Sequence, residues 1–278
     1  MMKTKYKIKI AGIIFRFVKF FYKYFFRKKD IRNLYLKRNN INWKLDLTEG
    51  IDFSIFLFGN FEKSLNSLNK LLSSSQELVF IDIGANIGST TINLAKQFRY
   101  SKIFAIEPTF YAYNKLLLNI SLNHDLKKQI VPVNALISNR IINNNIYSSW
   151  KINNSMTENV HKHHLGSPKT FCDEFISLDD FVEKFKIKNI DFIKIDVDGN
   201  EKFVLESAIK SLEKFKPIIF FELAPYLYKE NNYEFDDLYN IFKNLNYNFY
   251  NSKLKKIKNI KNYVSNIKEG SCENVYLF

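Results

Sequence analysis

Cysteine, proline and glycine are scarce in this chain of 278 residues, which contains two, five and eight of them respectively. The two cysteines, Cys172 and Cys272, belong to no motif, which argues against a disulfide framework and makes a reducing, cytoplasmic compartment the default expectation. No internal repeat is visible, which excludes a repeat array. A hydrophobic content of 46% is enough for one sizeable core, so we expect one large domain with an appendage.

Acidic residues are also in short supply, because 28 Asp and Glu stand against 42 Lys and Arg and give a formal net charge of +14. Such an excess is typical of proteins that meet nucleic acid, an anionic membrane surface or an acidic substrate. Within the aromatic stretch near the N-terminus, the bases recur at helical steps of three, four or seven: Lys5, Lys9, Arg16, Lys19, Lys23 and Arg27.

This spacing predicts an amphipathic helix with a basic stripe and a wide apolar face. Charges interrupt the apolar residues throughout, and no small-residue cleavage site follows, which argues against both a spanning helix and a secretory signal. Two interpretations remain open. The helix within residues 5–29 lies in the headgroup region of an anionic leaflet, or it packs its apolar face on the rest of the protein or on a partner.

A strand followed by a glycine turn is the central motif of the chain. The run 79–83 is apolar apart from Asp82, which is typical of a strand buried on both faces. Gly84 allows a sharp turn, and Gly88 allows the following helix, residues 87–97, to pack closely. A flat ligand can then approach main-chain N–H groups at the helix N-terminus, which indicates a nucleotide-type site.

The spacing D-x-G-x-N-x-G separates two classes of ligand. A dinucleotide site requires G-x-G-x-x-G, but Asn86 occupies the position of the second glycine, and Asp82 would repel a pyrophosphate and attract an amino group. Glu107 ends the next strand 23 residues after Gly84, near the spacing at which an acid binds ribose hydroxyls in such folds. Together with Gly88, these residues resemble the cofactor site of class I S-adenosylmethionine-dependent methyltransferases.

Strands and helices alternate along the rest of the chain, which predicts parallel strands with right-handed crossovers. Pro132 interrupts the third predicted strand, so that strand should lie at an edge of the sheet, because proline cannot donate to a ladder. The predicted fold is α/β and Rossmann-like, with seven mostly parallel strands and helices on both faces, over residues 76–278. Residues 1–75 form the N-terminal helical extension and a lead-in.

A polar segment, residues 138–177, separates the two halves of this pattern. Its length is typical of a lid or a substrate loop. Three of the four histidines lie in it, but no Cys or carboxylate pattern completes a metal site, so we assign none to His161, His163 and His164.

Three runs in the second half of the predicted sheet resemble the FkbM family of methyltransferases: I-S-L-D-D-F-V at 176–182, D-F-I-K-I-D-V-D-G-N-E at 191–201 and K-P-I-I-F-F-E at 216–222. The resemblance covers about residues 78–250 and leaves the N-terminal helix outside. It implies S-adenosylmethionine as cofactor and methylation of a hydroxyl oxygen, often on a sugar or a polyketide. Asp198 and Asn200 depart from the usual Glu and Ala of K-I-D-V-E-G-A-E, so the acid is kept but is one methylene shorter.

Ligands of open α/β sheets bind beyond the C-terminal ends of the strands, so the acids that end the strands should converge on one crevice. We expect Asp82 to hold the methionine amino group through water or backbone and Glu107 to accept the ribose hydroxyls. Asp196 should face the acceptor and take its proton, unless it is only a capping acid. The site residues are Asp82, Gly84, Asn86, Gly88 and Glu107 for the cofactor and Asp196 and Glu222 for catalysis.

Three functions compete. The leading one is O-methylation of a sugar, glycan or related small molecule in the cytoplasm, at the inner membrane face if the N-terminal helix binds there. An RNA or DNA methyltransferase would explain the positive charge, but the turn at 196–199 lacks the Asn/Asp-Pro-Pro-Tyr/Phe pattern of base amino methylation and is acidic, the wrong sign beside phosphates. A non-catalytic scaffold should lose its cofactor acids, whereas Asp82 and Glu107 are both present.

Overall fold

The described residues form one large mixed sheet and three small two-stranded ones. The structure is a computed structural model, and it describes residues 4–24, 30–60, 62–140, 146–147, 168–172 and 174–278. The strands are β1 (Leu34–Arg38), β2 (Ile41–Leu45), β3 (Leu78–Ile83), β4 (Ser101–Ile106), β5 (Ile130–Val133), β6 (Leu136–Ile137), β7 (Ile146–Tyr147), β8 (Pro168–Lys169), β9 (Phe175–Ile176), β10 (Phe192–Ile195), β11 (Ile218–Leu223), β12 (Phe249–Asn251) and β13 (Glu273–Leu277).

Helices precede and follow most of these strands. They are α1 (Thr4–Tyr24), α2 (Gly50–Phe58), α3 (Ser89–Gln97), α4 (Phe110–Ser121), α5 (His124–Lys127), α6 (Leu178–Lys184), α7 (Glu201–Glu206), α8 (Ile209–Phe215), α9 (Pro225–Glu230), α10 (Phe235–Asn244) and α11 (Ile260–Ser265), with a 3₁₀ helix at Lys63–Lys70.

The central sheet has the strand order β12-β13-β11-β10-β3-β4-β5. Its strands from β11 to β5 run parallel, and β13 is antiparallel to both of its neighbours. The predicted Rossmann-like sheet of seven mostly parallel strands is therefore confirmed. Pro132 lies in β5 at the edge of the sheet, opposite Ala105 of β4, as its missing N–H predicts.

One predicted helix is in fact two. The sequence predicts a helix over residues 201–212, but α7 ends at Glu206 and α8 begins at Ile209. At the break, the Ser207 carbonyl accepts from Asp179 N at 3.0 Å and the Ser207 hydroxyl from Leu178 N at 3.2 Å. The interruption thus supplies acceptors for the first amides of α6, which have none within their own helix.

The lead-in before the central sheet is more ordered than its composition indicates, because β1 and β2 form an antiparallel hairpin. Asn39 and Asn40 at its tip have φ of +48° and +55°, the left-handed pair that a two-residue hairpin turn requires and that asparagine tolerates. Trp43 is fully buried in the same apolar cluster as Phe80 of β3. This segment therefore packs into the core beside the sheet, while the domain boundary predicted at residue 75 stays a prediction.

The N-terminal helix α1 forms as predicted and lies against the protein through a narrow face. Phe15 is 1% exposed and meets Phe53 of α2 edge-on, with ring centroids 5.7 Å apart. Ala11 and Val18, at helical spacing from Phe15, pack against the same cluster. The packing interpretation therefore holds for one face of α1, and other faces remain exposed.

Candidate functional site

A cleft of about 880 Å³ lies at the carboxyl ends of the central strands. That volume is in the range of small-molecule and cofactor sites. Five of the seven predicted site residues line it: Gly84, Asn86, Glu107, Asp196 and Glu222. The other two, Asp82 and Gly88, lie behind its wall, so the structure brings most of the predicted set together.

The β3–α3 turn needs its two glycines for conformation and for space. Gly84 and Gly88 have φ of +81° and +87°. A Cβ on Gly84 would lie 2.0 Å from the carbonyl oxygen of Asp196, and one on Gly88 would lie 2.7 Å from Cδ1 of Leu116. The room that these glycines leave is thus taken by β10 and α4, so they bring the protein's own elements together.

Most amides of this turn are already satisfied within the protein. Gly84 N and Ala85 N both donate to the carbonyl oxygen of Ile106 at 3.0 Å. Asn86 N donates to Glu107 Oε2, also at 3.0 Å. The expected approach of a ligand to main-chain N–H groups is therefore displaced to the first turn of α3, whose amides have no acceptor within the helix and whose Ser89 and Thr90 line the cleft.

Glu107 is held by the residues around it. It is 5% exposed, and besides the Asn86 amide it accepts from Thr109 N at 2.9 Å and from the Thr109 hydroxyl at 2.5 Å, both on Oε1. Burial raises the pKa of this carboxyl, and these hydrogen bonds oppose the shift. A carboxylate offers about four acceptor positions, and three of them are used here, so one remains on Oε2 for a ribose hydroxyl. A second ribose hydroxyl could bind only if the Thr109 hydroxyl rotated away from Oε1.

Lys194 lies at the centre of the buried charges. Its Nζ is 3.2 Å from the Gly84 carbonyl oxygen, 3.5 Å from Asp82 Oδ1 and 3.2 Å from Asp196 Oδ2. Burial alone would lower the pKa of Lys194, but the carboxylates of Asp196, Asp82 and Glu62 outweigh it and raise the pKa. Asp82, with no exposed surface and a hydrogen bond from the Thr91 hydroxyl, reaches the cleft only through Lys194 and the Gly84 backbone.

Sequence reasoning missed Lys194, although a signal exists. Lys194 stands in the buried strand β10, two residues before Asp196, and is register-paired with Asp82 on the neighbouring strand. A lysine on a buried strand requires an acidic partner, so the pair follows once the strand order is known.

Glu62 is a second residue that the sequence did not reveal. It comes from the lead-in, just before the 3₁₀ helix, and lines the cleft. Its carboxylate accepts from the Thr90 hydroxyl and from Asn274 Nδ2, each at 2.9 Å. Burial raises the pKa of Glu62 to about 7. No local pattern marks this residue, because its position depends on how the lead-in packs on the sheet.

Three carboxylates gather in one part of the cleft. Oxygen atoms of Asp196, Asp198 and Glu222 all lie within 4.8 Å of one another. Burial first, and then the charges of Asp196 and Asp198, raise the pKa of Glu222 well above its usual range. At this spacing the acids can share a proton, and their oxygens could also hold a divalent cation.

The backbone of the turn that carries Asp196 and Asp198 is held by hydrogen bonds to Glu201. Its Oε1 accepts from Val197 N at 3.1 Å and from Gly199 N at 3.2 Å. Asp198 takes φ of +51° between them. Burial raises the pKa of Glu201 to about 7. Glu201 therefore positions the turn, whereas Asp196 and Asp198 present their carboxylates to the cleft.

The described parts of the predicted lid border the cofactor end of the cleft. Phe110 N donates to the Thr170 carbonyl at 3.3 Å, and Cys172 N donates to the Pro108 carbonyl at 2.9 Å. Lys169 lines the cleft. The three histidines of this segment, His161, His163 and His164, lie outside the described residues.

The residues present fit S-adenosylmethionine. Glu107 keeps an acceptor position for a ribose hydroxyl, the first turn of α3 offers amide donors, and more acids than lysines line the cleft, which would suit a cationic sulfonium. The sheet order and the site together define a class I methyltransferase that uses S-adenosylmethionine.

The chain belongs to the FkbM methyltransferase family. The sequence profile described as "Methyltransferase FkbM domain" matches residues 82–249, more than half of the chain. The match confirms the resemblance found in the three sequence runs. No curated protein sequence matches the chain.

Solved structures with a similar fold are distant. Methyltransferase FkbM from Methylobacillus flagellatus KT is 14% identical, with a TM-score of 0.45 over 87% of this chain and 63% of that one. TYW2 from M. jannaschii, solved with AdoMet, is 17% identical, with a TM-score of 0.44 over 90% and 85% of the two chains. Precorrin-6y C5,15-methyltransferase from Geobacter metallireducens GS-15 is 15% identical, with a TM-score of 0.41 over 80% and 91%. The family assignment rests on the profile match alone.

Proposed function

We propose that this methyltransferase transfers a methyl group to a hydroxyl oxygen of a sugar, a glycan or a related small molecule. The observation that carries the proposal is the cluster of Asp196, Asp198 and Glu222 that lines the cleft. Hydroxyl groups donate readily to carboxylates, and such bonds are stronger than those between neutral groups. This cluster of acids therefore supports a polyhydroxylated neutral acceptor. It argues against a nucleic acid, because it would repel the phosphates.

S-adenosylmethionine supplies an electrophilic methyl group on its sulfonium when bound. Glu107 binds the ribose, and the amides at the start of α3 bind the methionyl end. Asp196 accepts the proton of the acceptor hydroxyl as the oxygen loses it, and Lys194 holds this carboxylate in place from 3.2 Å. Glu222, which lies beside Asp196 and Asp198, orients the acceptor through a hydrogen bond.

The test replaces the proposed base without changing its shape. Asp196→Asn should keep affinity for S-adenosylhomocysteine and lose about 10²- to 10⁴-fold in turnover, the usual contribution of a general base. Turnover is measured with methyl-labelled S-adenosylmethionine and glycan, lipid and nucleic acid fractions of a cell extract. Asp125→Asn is the matched control, because it makes the same substitution at a 66% exposed side chain that does not line the cleft. It should leave turnover unchanged.

Two results would contradict this assignment. Turnover of Asp196→Asn close to that of the parent would remove Asp196 as the base. A chelator should have little effect, so activity that a chelator abolishes and magnesium restores would transfer the role of the acids to metal binding. Label in nucleic acid alone would favour the competing RNA or DNA methyltransferase.

A further inference from the structure

Helix α1 has a second apolar face that is exposed among the described residues. Its side chains are between 36% and 71% exposed: Ile10, Ile13, Ile14, Phe17 and Phe20. At 3.6 residues per turn they span an arc of about 120°, distinct from the arc of Phe15 and Val18 that packs on the domain. A contiguous apolar patch of this kind marks a surface that meets another phase or another molecule.

Bases lie beside this face. Arg16 and Lys19 are exposed on α1. The first 29 residues hold ten of the 42 bases and none of the 28 acids, so they carry most of the net charge of +14. A second copy of the chain would bring the same bases and no local acid to pair with them. An anionic bilayer complements both the apolar arc and the bases.

The exposed face of α1 is continuous with the cleft. Ile10 and Ile14 belong to that face and also line the cleft, beside Leu57 and Phe58 at the end of α2. A surface that covers α1 therefore lies at the mouth of the cleft. None of the described helices is long and apolar enough to cross a membrane.

We propose that α1 docks on an anionic membrane surface, with its exposed apolar face in the headgroup layer, and that the cleft receives a hydroxyl acceptor carried by a lipid. The acceptor class rests on the proposed O-methyltransferase function, whereas the docking does not. Docking raises the local concentration of such an acceptor at the mouth of the cleft, and its hydroxyl reaches Asp196 from the membrane side.

The docking is tested with the full chain and two kinds of vesicle, pure phosphatidylcholine and an equimolar mixture with phosphatidylglycerol. We expect co-sedimentation with the anionic vesicles only, weakening at high salt. Arg16→Gln with Lys19→Gln should weaken this binding about 30-fold, from the usual contribution of two bases near an anionic surface. Phe17→Ser with Phe20→Ser should also weaken it strongly, because these rings are more than half exposed and contribute no core packing.

Matched controls remove the same groups elsewhere. Lys127→Gln with Lys128→Gln takes two exposed bases from the C-terminal end of α5 and the residue after it, and Tyr100→Ser takes a 65% exposed ring from the turn between α3 and β4. Both should keep vesicle binding. Affinity for S-adenosylhomocysteine, measured by calorimetry, should be unchanged in every variant and shows that each one is folded.

The docking would be overturned if the α1 variants and the controls lost vesicle binding equally. It would also be overturned if the α1 variants lost no vesicle binding. A dimer that the Phe17 and Phe20 substitutions dissociate would overturn it as well, since it would assign the face to a second copy. Binding of S-adenosylhomocysteine without vesicle binding also overturns the docking but leaves the methyltransferase function intact. With a cell lipid extract in the anionic vesicles, methyl label should enter the lipid fraction. Label confined to water-soluble acceptors would overturn the lipid-carried acceptor alone.

Discussion

Replacing Lys194 by Met tests the buried charge network directly. Lys194 is 3% exposed and Asp82 is fully buried, so removing the ammonium leaves the Asp82 carboxylate with only the Thr91 hydroxyl. Leaving one partner of a buried ion pair unpaired costs about 3–5 kcal/mol. With a urea m-value of about 3 kcal/mol/M for a chain of this size, the unfolding midpoint should fall by about 1–2 M.

Urea unfolding followed by circular dichroism measures this shift, and a double variant separates charge from packing. Asp82→Asn in the Lys194→Met background removes the orphaned charge and keeps the bond from Thr91, so more than half of the lost free energy of unfolding should return. Lys127→Met, on an exposed lysine, should change that free energy by less than about 0.5 kcal/mol. A Lys194→Met midpoint equal to that of the parent would refute the reasoning, because it would mean that Asp82 needs no cation.

Two further predictions concern single acids of the cleft. Glu107→Ala should weaken S-adenosylhomocysteine binding by about 10- to 100-fold, because it removes a charged acceptor worth about 1.5–3 kcal/mol, and calorimetry that finds the parent's affinity would exclude the ribose contact. Glu174→Ala, on a half-exposed acid, is its control. Glu62 has its pKa raised to about 7, so its proton stabilises the fold fully below its unfolded pKa of about 4.5, and this contribution is lost as the pH rises through 7. Urea midpoints of Glu62→Gln should therefore fall less than those of the parent between pH 5 and pH 8, and parallel curves would contradict the raised pKa.

The sequence predicts the central sheet well because its strands are buried on both faces and its turns carry glycine. The edge position of β5 follows from Pro132, and the convergence of Glu107, Asp196 and Glu222 follows from strand direction. These features are local or depend only on the order of parallel strands. They can be predicted without knowing how distant segments pack.

The missed features depend on packing between distant segments. Glu62 enters the site because the lead-in folds over α3, and no neighbouring residue reveals this. The turn of the β1–β2 hairpin can be recognised from Asn39 and Asn40. The hairpin is missed because apolar and polar residues alternate only weakly in the two flanking strands. The carbonyl of Asp196 takes the room beside Gly84, which only the packing of β3 against β10 reveals.

The charge of this protein is separated in space, and the separation bears on both proposals. The net charge of +14 is concentrated before residue 30, whereas eight acids and four lysines line the cleft. Burial first, and then the charges of neighbouring acids, raise the pKa values of Glu62 and Glu222. A cleft of that character attracts a sulfonium and repels phosphate, while the basic N-terminal helix attracts an anionic surface. Under the two proposals, the same chain therefore meets a membrane through its positive end and performs methyl transfer in its negative cleft.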